Sequence, residues 1–137
     1  MKSSYRYIVN TYDAHCYLFV GSEEDFYRYI KRLCAGLEDT KGLIGEDWAA
    51  GAFTFKHRRY GTKFVIWLSS FTGTCSEYRN LVHEVTHVAM NILSDVGINY
   101  MREGETLAYL TDSIFSDFLY QLTKELDKDK DNKTECR

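Results

Sequence analysis

His83, Glu84 and His87 are the residues of this chain whose types and spacing could do chemistry. They stand in the run His83-Glu84-Val85-Thr86-His87. On a helix, residues four apart lie on nearly one face, one turn above the other. Two neutral imidazoles can therefore converge on a single divalent cation, with Glu84 beside them, one step round the helix. Such a pair supplies two of the three protein ligands that a catalytic zinc commonly takes, the fourth position being kept for water. The helix, the third ligand and a substrate cleft must come from the rest of the chain.

The helix is well signalled. Thr74-Cys75-Ser76-Glu77 has the capping-box spacing, with Thr three residues ahead of Glu. Beyond it Tyr78, Leu81, Val82, Val85, Val88, Ala89 and Ile92 repeat at helical spacing toward a stop near Gly97. The plain alternative, two surface histidines on an amphipathic helix, leaves the agreement of cap, apolar face and downstream acid without a reason. For the third ligand two carboxylates compete, Glu103 and Glu105, in the run Arg102-Glu103-Gly104-Glu105-Thr106-Leu107-Ala108-Tyr109. Acids also favour the first turn of a helix through its dipole, and one of the two can be there for that alone.

The pairing of His83-Glu84-x-x-His87 with a later Glu105-x-x-Ala108 resembles the gluzincin branch of zinc metallopeptidases, over about residues 74–122. The small size is similar to the minimal zincin domains carried by bacteriophages and mobile elements. What the resemblance implies is a single-domain zinc peptidase. His83, His87 and Glu105 would be the ligands, Glu103 the fallback, Glu84 the general base, and a small Ala108 would let two helices pack closely. It further implies hydrolysis of a peptide or protein substrate. Glu84 would take a proton from the attacking water and deliver it to the departing amine. Asp112 is a candidate for holding the second ring nitrogen of a histidine, as metal-bound imidazoles usually require, or is simply solvated. Tyr109, Tyr100, Arg102 and His57 are candidates for stabilising the oxyanion. The strand ahead of the metal helix, Lys63 to Ser70, would form a wall of the cleft, or is an ordinary core strand.

Around these residues, Tyr5 to Tyr12 and His15 to Val20 read as two short strands or one bent one. Ser22 followed by Glu23, Glu24 and Asp25 opens a helix through Phe26, Tyr29, Ile30, Leu33 and Leu37, with Gly36 near its stop. Leu37 to Asp47 reads as a loop. Ala52 to Lys56 and Thr62 to Phe71 form a hairpin that turns before Gly61, and a last helix runs from Glu103 through Leu107, Leu110, Ile114, Phe118 and Leu122. The expected class is α+β: a small, mostly antiparallel sheet packed against an active-site helix, a following glutamate-bearing helix and an N-terminal helix. Residues 1–126 form one zincin-like domain and 127–137 a charged, disordered tail.

At 137 residues and 45% hydrophobic, the chain suits one core. A formal charge of -3, with Lys56-His57-Arg58-Arg59 a short basic run that reads as a solvated turn, argues against a nucleic-acid partner. The absence of a signal-peptide pattern or a long apolar run predicts a cytoplasmic protein away from membranes. Cys16, Cys34, Cys75 and Cys136 lack metal or disulfide spacing and read as reduced thiols. A zincin-fold binding or regulatory protein that keeps the metal but cleaves little is the main alternative function. A thiol enzyme built on Cys75 with His15 or His57 is a more distant one. Oligomeric state has no sequence signal.

Overall fold

Alternation in the strands and a three-to-four repeat in the helices sort the apolar residues onto the two faces of one sheet. The computed structural model describes residues 2–34 and 42–135, so the expected helix stop at Gly36, Leu37 with the first part of the expected loop, and Cys136 lie outside the described residues. Strands β1 (Ser3–Val9), β2 (Ala14–Val20), β3 (Ala50–His57) and β4 (Gly61–Leu68) form a sheet in the order β1-β2-β4-β3. The β1–β2 and β3–β4 pairs are antiparallel, and β2 pairs with β4 in parallel. Helices are α1 (Glu23–Leu33), α2 (Cys75–Asp95) and α3 (Gly104–Glu135). The class is α+β with a mostly antiparallel sheet, as the patterning predicts. Among the described residues, no helix is long and apolar enough to cross a membrane.

β1 and β2 are a hairpin rather than one bent strand. A short 3-10 turn, Asn10–Tyr12, and Asp13 in the left-handed region (φ 48°) reverse the chain between them. One sheet face carries Cys16, Leu18, Val20, Phe64, Ile66 and Leu68 against α2 and α3. The opposite face carries Tyr17, Phe19, Val65 and Trp67 against Phe26 and Ile30 of α1. β4 is buried on both faces along Phe64–Leu68 and lies inside the sheet. The strand expected to wall the cleft is therefore a core strand, and the edge on that side is β3. Burial of each such side chain is worth about 1.5–3 kcal/mol, and β2, inner and buried on both faces as well, shares with β4 the anchoring of the sheet.

The helix starts follow their caps. Ser22 Oγ accepts from the Asp25 amide at 3.1 Å, and Glu23, Glu24 and Asp25 occupy the first turn of α1. Ser22→Ala should lower the unfolding free energy by about 1 kcal/mol. A urea titration would read this as a lower midpoint at unchanged slope. α3 packs Leu110, Ile114, Phe118 and Leu122 into the core. It also reaches β1, where the Tyr5 hydroxyl donates to Glu125, and Tyr7 and Ser113 share a 2.6 Å hydroxyl bond. α3 does not stop at residue 126. Residues 127–135, expected as a disordered tail, continue the helix to Glu135. No Gly or Pro interrupts them, and the pairs Glu125/Lys128 and Asp127/Lys130 put opposite charges at i,i+3 spacing.

Candidate metal centre and groove

α2 is a 21-residue helix whose two sides do different work. Leu81, Val85, Val88, Ala89, Ile92 and Leu93 are buried against the sheet and α3. The other side carries Ser76, Arg79, Asn80, His83, His87 and Asn91, at helical intervals, along one wall of an open groove of about 750 Å³. The facing wall is the start of β3 and the residues before it, Trp48 to Ala52. Two polar bridges join the walls. Asn91 Nδ2 donates to Thr54 Oγ1 at 3.3 Å, and Lys56 Nζ lies 3.1 Å from Asp95 Oδ1.

His83 and His87 meet on this wall. Their Nε2 atoms are 3.1 Å apart, with ring centroids at 4.7 Å and planes at 74°. Two zinc–imidazole bonds of about 2.0–2.1 Å at a tetrahedral angle separate their nitrogens by about 3.3–3.4 Å. The pair thus has nearly the bite a metal requires, and its rings need little adjustment to accept one. Glu84 lies one step round the helix from His83, toward its inner side, and is only 9% exposed. Burial raises the pKa of its carboxyl above the ordinary range, while His83 and His87 pull the other way without cancelling the effect. A carboxylate with raised proton affinity at the floor of a groove is suited to taking a proton.

The acids expected to supply the third ligand stand apart from this pair. Glu103 and Glu105 are exposed at the start of α3, and neither lines the groove. Among the described residues, no group of three or more His, Cys, Asp or Glu side chains is assembled that could hold a metal ion. The connection between the two helices is nonetheless short. Val82 and Thr86 flank the histidines in one hollow and face Gly104, Leu107, Ala108 and Asp112 in the next. Glu105 precedes Ala108 and Asp112 by three and seven residues, so it belongs to the α3 face bordering that row.

The remaining candidates have other places. Asp112 accepts from Ser116 Oγ at 3.3 Å, and no bond ties it to either histidine. His57 Nδ1 accepts from the amides of Arg59 and Tyr60 and organises the β3–β4 turn. Tyr109 is 72% exposed. Tyr100 packs against the core edge, and the Arg102 amide bonds the carbonyl of Asn99. None of these four candidates lines the groove. Cys75 is an exposed free thiol outside it, and His15 is paired with Asp13. Sequence reasoning missed Arg79, Asn80 and the Trp48–Ala52 wall. The first two had a signal, since they precede His83 by four and three residues on its own face.

Comparison with protein families, with curated proteins and with solved structures finds no match to the chain.

Proposed function

We propose that the protein is a zinc-dependent metallopeptidase of gluzincin type. His83 and His87 are two of its metal ligands and Glu105, which stands apart from them in this structure, is the proposed third, with Glu84 as general base and a peptide or protein as substrate. The observation that carries this is the convergence of the two Nε2 atoms to 3.1 Å beside a buried carboxylate, in a groove open to solvent. Zinc, when bound, supplies Lewis acidity toward water and toward the substrate carbonyl. Glu84 takes one proton from water as the hydroxyl adds to the acyl carbon. The amide C–N bond then breaks, and Glu84 delivers that proton to the departing amine.

Substrate positioning falls to the β3 edge. The Ala49 carbonyl accepts from the Ser69 amide, so Ala49, Gly51 and Phe53 direct their main-chain groups into the sheet. By alternation Ala50, Ala52 and Thr54 direct theirs outward, toward an extended peptide. Small side chains at positions 49–52 leave that backbone accessible, and main-chain bonds give affinity independent of the substrate's side chains.

Elemental analysis of protein purified without added metal should give about one equivalent of zinc, as expected for a single site. His83→Ala and Glu105→Ala should both lose it. Retention in Glu105→Ala alone would move the third ligand to Glu103. A wild-type protein that neither carries zinc nor takes it up when supplied would end the proposal.

A further inference from the structure

We infer that Arg79 is a specificity residue that binds a carboxylate of the substrate on the C-terminal side of the scissile bond. The inference rests on reading the groove as a peptide site. The carboxylate is either an Asp or Glu side chain or a free C-terminus, since both offer the same planar acceptor to a guanidinium.

The direction of the groove comes from its two bridges. Asn91 meets Thr54 and Asp95 meets Lys56, so α2 and β3 run the same way along the groove. From Asn91 back to His83 the helix rises about 12 Å, and from Thr54 back to Ala50 the strand spans about 13 Å. Ala50 is therefore level with His83 and Ala52 with His87, and Trp48 and Arg79 line the groove beyond them at the end where β3 begins. A peptide that extends the sheet in the antiparallel sense, the more stable pairing, runs opposite to β3. Its N-terminal part lies by Ala52 and Asn91, and its C-terminal part leaves by Trp48 and Arg79. The centre of the histidine pair is about 9 Å from Arg79 along the helix axis. Allowing for the reach of the side chain, Arg79 meets the first or second residue beyond the cleaved bond.

The charges there suit a carboxylate. Among the described residues Arg79 is the one Lys or Arg lining the groove, and no carboxylate there pairs with it. Glu77, two residues before it, is turned the other way, onto Ser70 and the Thr72–Thr74 backbone. Glu84 is the acid of the groove and lies beneath the histidines. Trp48 lines the groove at this end and is 51% exposed, with its indole over Gly45 and Gly51. Its indole sits where Gly45 leaves room, since a Cβ at that position would fall 2.6 Å from Nε1.

Calorimetry on the full-length Glu84→Gln protein tests this without any need for cleavage. The probes are acetyl-pentaalanine with a free carboxylate, its amide, and amides in which one alanine is replaced by glutamate. The free acid, the glutamate amides or both should bind about tenfold tighter than the plain amide. Which of them gains shows whether a terminus or a side chain is read. In Arg79→Gln that preference should fall to near unity, and Arg79→Lys should keep part of it. Equal affinities in the Arg79 protein, or a preference that survives Arg79→Gln, would overturn the inference. Failure of every peptide to bind would overturn the groove as a peptide site and this inference with it, while leaving the zinc measurement standing.

Discussion

Glu84→Gln should keep its zinc and lose hydrolysis by about a thousandfold, within the range a positioned general base supplies. The substitution keeps the size and shape of a side chain that is only 9% exposed. It removes the one property the proposed chemistry needs, an oxygen able to take and return a proton. Folding should not suffer. Burial already disfavours the charge on Glu84, so a neutral amide there costs less desolvation than the carboxylate it replaces. His83 and His87 keep their spacing because α2 is held by its opposite, apolar side. The measurements are zinc stoichiometry, thermal unfolding and turnover of a peptide mixture, all on the same preparations. Wild-type turnover in the variant would remove Glu84 from the mechanism. A zinc-binding wild type that never cleaves, with a biological effect the variant retains, would favour the regulatory alternative.

Local signals made α2 legible before any coordinates. Thr74 and Glu77 form the reciprocal cap their spacing announces, and the helix ends at Asp95, two residues before Gly97 with its φ of +80°. The meeting of His83 and His87 follows from that helix alone, since a four-residue interval fixes it. Strand order is another matter, because it depends on residues far apart in sequence. β4 lies inside the sheet since His15–Val20 pairs with Lys63–Leu68, and no local pattern encodes that pairing. A hint existed. Phe64-Val65-Ile66-Trp67-Leu68 is apolar without alternation, as strands covered on both faces are, whereas β3 alternates small residues with Phe53 and Phe55. The third ligand was the least legible part. Glu103 and Glu105 stand apart from the histidine pair, because the way the start of α3 meets Val82 and Thr86 is a packing that neither helix specifies alone.

Glu77→Ala should cost about 3 kcal/mol of stability, the largest effect expected from a single polar side chain here. Its carboxylate receives five hydrogen bonds. Oε1 accepts from the amides of Thr72 (2.7 Å), Gly73 (3.0 Å) and Thr74 (3.0 Å) and from Thr72 Oγ1 (3.0 Å), and Oε2 accepts from Ser70 Oγ (2.7 Å). Burial opposes the charge, but the bonds from Ser70, Thr74 and Thr72 outweigh it and hold the pKa at about 2, against 4.5 for an ordinary glutamate. A depressed carboxylate pKa fixes the sign of the pH dependence. The contribution is complete above about pH 4.5 and is lost as the pH falls through about 2. Over that interval the group should account for about 2 kcal/mol, less than the pKa difference alone would give because solvent reaches part of the carboxylate. Glu77→Gln isolates this term. The amide oxygen can replace Oε1, and its NH2 can donate to Ser70 Oγ, so the geometry survives without the titration. The stabilities of wild type and Glu77→Gln should therefore differ at pH 6 and converge near pH 2, as read by urea unfolding across that range. A difference that stays constant would show that Glu77 holds the loop by shape alone. The same network fixes where α2 begins, so Glu77→Ala should also loosen the position of Arg79 in the groove, two residues further on.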